Sequence, residues 1–344
     1  MTHSRFTRLH QRGAVGIIMP VMLITILSLG ALAIDVGHMV VVRNELQNAA
    51  DAAALAGAAG LIPPNPSPNW ANGVTQGNNA IPLNKTTGIT LSTGTVQAGY
   101  WNLTGTPAGL QAQTITPTSN DVPGVQVTIT RGAGSNGGPV ATLLAQVFGG
   151  TATGSSATAV AVVAPPGGVL AGATPLPMVI SSCLYSQFFD AKGQPITTKK
   201  LDIGSSYHYG PCEAGQWTSF FNNSNSDSLT KSIIDGTTPS PAMNIGDKIW
   251  VQTGTKTNLF DEVNNQLTGK TVLIPVVSDP TNSGFQTNGQ MQIVAFAAFY
   301  ITSAMGGGNP GKYVEGHFVG GYKTPGGTGV GPYYGAYVPP RLAK

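Results

Sequence analysis

Apolar residues are distributed very unevenly along this chain. From Ala14 to Ile34, AVGIIMPVMLITILSLGALAI, twenty-one residues pass without a charge, and eleven are Val, Ile or Leu. As a helix at about 1.5 Å per residue, the run reaches about 31 Å, the thickness of a bilayer's hydrocarbon core. A buried helix of a soluble protein normally keeps a polar face. This run shows none, so the pattern predicts a transmembrane helix over 14–34. Pro20 lies in its first third, where proline disturbs a helix less than at the centre. A cleavable signal peptide is the competing reading, because Ala31-Leu32-Ala33 has the form of a cleavage site; the apolar run is longer than such peptides usually carry.

Beyond Ile34 the period changes. Residues 35–60 are rich in Ala and strong helix formers, which predicts that the helix continues to about Gly60 before Pro63, Pro64, Pro66 and Pro68 stop it. Met39, Val42, Leu46, Ala49, Ala53 and Ala56 recur at spacings of 3 and 4, a heptad seam with Arg43, Glu45, Gln47 and Asp51 off it. The seam turns small toward its end. Whatever packs there, the protein's own domain or a partner helix, must come close.

The rest of the chain reads as strands and turns. Ile89–Trp101 and Thr151–Val163 carry strand-type residues, and Val125–Thr130 alternates most clearly. Pro139–Phe148 is expected as a short helix closed by Gly149 and Gly150. Residues 166–177 are Gly- and Pro-rich and are expected as a linker. From 178 onward the pattern is mainly β, strongest at Gly246–Val251, Thr271–Val277 and Gln292–Ile301, with a Gly/Tyr-rich tail from Gly306. The expected fold class is α+β. The domains run 1–13 (basic cytoplasmic tail), 14–34 (span), 35–165 (helix plus a small α+β domain), 166–177 (linker) and 178–344 (mainly β domain).

Composition fits an exported protein. Only 9% of residues are charged, Gly reaches 46 and Pro 25, yet 41% are apolar, which is not the signature of disorder. The net charge of +3 equals the contribution of Arg5, Arg8 and Arg12; no acid precedes Asp35, and beyond Arg12 basic and acidic residues balance. No cluster of Lys and Arg suggests nucleic-acid binding. The arginines bear on topology instead: they place the N-terminus in the cytoplasm and everything past Asp35 outside. In an oxidising compartment the two cysteines, Cys183 and Cys212, could form one disulfide; two buried thiols are the alternative.

Candidate chemistry is sparse. Gly306–Lys312 nearly matches a phosphate-cradling loop, but Tyr313 stands where the magnesium-binding hydroxyl belongs. His208 lies near Cys212 and Glu213, a pairing that a disulfide would silence. His38 and His317 are isolated, and Asp190, Asp202, Asp227 and Asp235 show no paired-carboxylate or calcium-loop spacing. No catalytic, cofactor-binding or metal-binding residues are expected.

Several features in order form a more specific pattern: Arg12-Gly13, the apolar span, Asp35 with Gly37, Arg43, Leu46-Gln47, and the run Ala49–Ala56 around Asp51. This resembles the N-terminal segment of TadG-like proteins of the bacterial tight-adherence (Tad, or Flp) pilus assembly system. Gly99–Asn102, the strand at Val125 and Ala157–Ala161 extend the likeness more loosely to about residue 165. The resemblance implies a structural or accessory envelope component that works through other pilus-assembly or envelope proteins and touches lipid through 14–34. It implies no catalytic residue. The chain lacks the Asp-x-Ser-x-Ser run of the von Willebrand A domain that some members carry, and Ile18 stands where prepilins place a glutamate. A surface adhesin or pilin-like subunit is the second expectation, and a periplasmic hydrolase a remote third.

Overall fold

The computed structural model describes residues 14–61, 68–118, 120–142, 152–191, 193–224, 226–252, 256, 258–279, 285, 289–307 and 311–343. The fold is α+β, with a long N-terminal helix, a few short helices and two main sheets.

Helix α1 runs unbroken from Ala14 to Gly60. Its character changes along its length. Large apolar side chains from Ile18 to Leu32 are exposed, whereas Val42, Leu46, Ala49, Ala50, Ala53, Ala54 and Ala58 are buried. Helix α2, Trp70–Ala80, packs along the second half of α1. Asn69 caps it by accepting a hydrogen bond from the backbone N–H of Asn72. Its sequence, WANGVTQGNNA, has poor helix propensity, and no reading of local pattern predicts it.

Both helices lie on an antiparallel sheet. Its strands are β1 (Thr95–Asn102), β2 (Leu110–Gln111), β3 (Asp121–Arg131) and β4 (Ser155–Val162), in the order β4-β3-β1-β2. Alternation explains the packing. Val125, Val127 and Ile129 of β3 and Ala157, Ala159 and Ala161 of β4 are buried in one core with the α1 seam. The opposite face carries cross-strand hydroxyl pairs, Thr128 with Thr158 at 2.9 Å and Thr130 with Ser156 at 3.0 Å. The helix expected at Pro139–Phe148 lies mostly outside the described residues; Val140 itself forms a β-bridge with Thr153.

The second sheet contains β5 (Met178–Ser181), β6 (Leu201–Ile203), β7 (Gly215–Phe220), β8 (Lys248–Val251), β9 (Thr271–Val277), β10 (Gly289–Met305) and β11 (Tyr313–Phe318). Strand order is β8-β7-β5-β9-β10-β11-β6, and β8 also pairs with β10, closing a ring of five strands. The 17-residue β10 makes this possible, since it pairs with β8 at its start, β9 in its middle and β11 at its end. Strand β9 is a continuous apolar run because the sheet is buried on both faces. Two short helices, α3 (Asp227–Ile234) and α4 (Leu259–Gln266), add Ile233, Ile234, Leu259, Phe260 and Val263 to these cores.

Residues 166–177, expected as a linker, are not a free tether. Gly168–Val169 pairs with Met243–Asn244, and Val169, Thr174 and Leu176 are buried. A Cβ on Gly167 would meet the Val330 backbone nitrogen at 2.6 Å, so glycine here allows two chain segments to touch. The tail crosses between units as well. Arg341–Leu342 forms β12, an antiparallel edge strand on β4, and Tyr337 enters the core under α1. Glycine and proline mark irregular backbone in a sequence, but irregular backbone can still be buried.

Candidate functional site

The long helix organises the first core. The residues expected as a seam divide as follows: Val42, Leu46, Ala49 and Ala53 are fully buried, while Met39 and Ala56 are half-buried against the same core. The stripe is wider than a 3-4 seam, because Ala50, Ala54 and Ala58 are buried beside it. Alpha-helical periodicity of 3.6 rather than 3.5 makes the contact drift sideways, and α2 covers one flank while β3 and β4 cover the other. The intramolecular surface thus occupies the stripe.

Three residues off the seam, Glu45, Gln47 and Asp51, also work structurally. The Glu45 carboxylate accepts a hydrogen bond from the Thr87 backbone N–H at 2.6 Å. Arg131 donates to the Thr87 hydroxyl and to the Gly138 carbonyl. Thr87 has a φ of 45°, so these partners hold a turn that a β-branched residue rarely adopts. Gln47 donates to Asp51 at 2.8 Å, one helical turn on.

The first half of α1 is different. Among the described residues it is the one helix long and apolar enough to cross a membrane. Its polar side chains are satisfied locally: the Thr25 hydroxyl donates to the Val21 carbonyl at 2.8 Å and the Ser28 hydroxyl to Ile24 at 2.7 Å. Where the two halves meet, a groove of about 620 Å³ opens between α1 and the start of β4. Leu32, Asp35, Val36 and Arg43 line one wall, and Ser155 and Ser156 line the other. Asp35, which by charge stands at the membrane exit in an interfacial or a subunit-pairing role, is only 5% exposed.

The remaining candidates are dispersed. Cys183, in a single 3-10 turn, and Cys212, in a short hairpin, are bonded to each other with Cα atoms 5.6 Å apart. Cys212 is therefore no nucleophile for His208, which is exposed on the paired strand. The glycine-rich run before Lys312 lies partly outside the described residues, between hairpin strands β10 and β11 rather than between a strand and a helix. His38 is half-buried on α1. His317 packs on Tyr300 at 5.2 Å, and burial holds its imidazole below the ordinary range. Asp190 and Asp235 accept backbone hydrogen bonds in turns, from Gln194 and Thr237, and Asp227 pairs with Lys256 at 2.9 Å. Asp202 faces Glu315 across β6 and β11. Burial, then the Glu315 charge, push its carboxyl above the usual carboxylate range. No group of three His, Cys, Asp or Glu side chains is placed to hold a metal among the described residues.

These features define a class: a protein with one apolar anchor-type helix that continues, without a break, into the core of an α+β domain. Comparison with known families makes it specific. Residues 13–60 match the family described as putative Flp pilus-assembly TadE/G-like, and residues 42–161 match that described as putative Tad-like Flp pilus-assembly. Over residues 13–161 the chain is thus similar to TadG-like proteins of the Flp, or Tad, pilus-assembly type. The two matches share residues 42–60, the part of α1 buried in the first core. Neither extends past residue 161. No curated protein and no solved structure matches the chain.

Proposed function

We propose that this protein is a membrane-anchored structural or accessory component of Flp pilus assembly that acts through protein–protein contacts and not through catalysis. In this reading it crosses the bacterial inner membrane once through residues 14–34, keeps Arg5, Arg8 and Arg12 in the cytoplasm and exposes the remainder to the periplasm. Its partners are other pilus-assembly or envelope proteins. It needs no cofactor, nucleic acid or small-molecule substrate. The observation that carries the reading is the continuity of α1: an exposed apolar half and a buried half share one helix, and the two family matches meet on it. An oxidising periplasm also suits the Cys183–Cys212 bond.

Fractionation and mass spectrometry test this. The intact chain is expected in the inner membrane with its N-terminus uncleaved, and its deletion is expected to abolish surface pili without loss of the pilin. A mature form beginning at Ile34 refutes the anchor. Recovery with sheared surface fibres supports instead the pilin-like or adhesin reading.

A further inference from the structure

The charge pattern ends the span at Ile34, but the exposed surface of α1 does not change there. Around and past Asp35 its exposed side chains are still apolar: Ile34 just before it is 54% exposed, and after it Val36 is 53%, Val40 52% and Val41 50%, with His38 half-buried among them. The change comes one residue later. Val42 is fully buried, and the next exposed positions are Arg43, Asn44 and Asn48. Asp35, the one charged residue in 18–41, is turned into the groove and shielded from the surroundings. It therefore does not mark where lipid must stop.

We propose that the lipid-facing surface of α1 continues past Asp35 to Val41, so that the first domain sits directly on the outer surface of the phospholipid bilayer. This rests on the membrane-anchor reading and adds a depth to it. Residues 14–41 form a helix about 42 Å long, which spans a hydrocarbon core of about 30 Å together with part of the interfacial layers, with tilt absorbing the rest. Arg43 then stands at headgroup level, where a long cationic side chain reaches lipid phosphate while its stem stays in the apolar layer. The groove walls meet the bilayer at the same depth, with Leu32 and Val36 on the lipid side and the Ser155 and Ser156 rim toward the headgroups. Because α1 enters the domain core at Val42 without a hinge, the domain is held at a fixed height and orientation. It presents one constant face to a partner in the same membrane.

Depth is measured by nitroxide accessibility. Single cysteines are introduced into the full chain at Leu27, Val36, Val40 and Asn48, leaving the Cys183–Cys212 bond intact, and the labelled protein is reconstituted in vesicles of phosphatidylethanolamine and phosphatidylglycerol. These sites are exposed, so the substitutions leave the core untouched. The oxygen-to-nickel accessibility ratio is expected to fall stepwise from Leu27 through Val36 to Val40, with both valines still clearly above Asn48, which nickel reaches readily. If Val36 and Val40 behave like Asn48, the bilayer ends near Ile34 and the proposal falls while the anchor stands. If Leu27 also behaves like Asn48, the anchor itself fails.

Discussion

Gly57 of α1 and Gly73 of α2 meet backbone to backbone. A Cβ on Gly57 would lie 3.0 Å from the Gly73 carbonyl oxygen, and one on Gly73 would lie 3.2 Å from the Gly57 carbonyl oxygen. The helices can approach so closely only because neither carries a side chain there. Gly57→Ala gains roughly 1 kcal/mol of helix propensity, but the new methyl also meets Val125 Cγ1 at 2.8 Å. Overpacking of this kind typically costs about 1–3 kcal/mol. The expected outcome is a net loss of stability in chemical denaturation, with α2 detaching first in hydrogen exchange.

The buried stripe predicts a contrast between neighbours. Ala53 is fully buried and Ala52 is exposed. Ala53→Leu should destabilise the protein by about 1–3 kcal/mol, whereas Ala52→Leu should change stability by less than about 0.5 kcal/mol. Thermal unfolding of the pair tests this. If Ala52→Leu alone impairs pilus assembly while stability holds, the outer face of α1 is a partner surface.

Replacing Cys183 and Cys212 together with Ala should destabilise the second unit. The cysteines are 29 residues apart in sequence, and closing such a loop stabilises by about 3–4 kcal/mol on the chain-entropy model. Thiol labelling of protein denatured without reductant should find no free cysteine.

Asp202 gives a pH signature. Its Oδ1 is buried and makes no hydrogen bond among the described residues, and Glu315 stands opposite it; Lys200, paired with Glu315 at 3.0 Å, offsets this in part. The folded-state pKa lies above the unfolded value. Its contribution to stability is therefore greatest below the unfolded pKa and is lost as pH rises through the folded one. Asp202→Asn should raise the melting temperature at pH 7, and the gain should shrink as pH falls toward the unfolded aspartate pKa of about 3.9. A gain independent of pH would assign the effect to packing.

Tyr337 tests the return of the tail. It is 8% exposed, stacks near Tyr333 at 4.9 Å between ring centroids, and belongs to the core formed by α1, β3 and β4. Tyr337→Ala should cost roughly 3 kcal/mol and increase amide exchange in α1, far away in sequence. A change confined to the second unit would show that the tail does not support the first.

Local pattern carried much of this architecture. The charge-free run from Ala14, the small seam through Ala53 and the alternation at Val125–Thr130 each express one element's own period, and α1 and β3 follow them. So does the apolar run of β9. A period is a property of neighbours in sequence, so it can be read without a partner. The elements that were not legible depend on distant residues. Helix α2 forms despite its Asn and Gly because Gly73 and Gly77 fit against α1. The buried Gly168–Val169 strand exists because Met243–Asn244 pairs with it, and β12 because β4 offers an edge. Asp35 looked like the end of the span by charge alone; its burial is decided by what packs against it. The sequence by itself determined which stretches are apolar, helical or extended. Only the tertiary structure decided which of those surfaces are covered, because coverage depends on residues brought together by the fold.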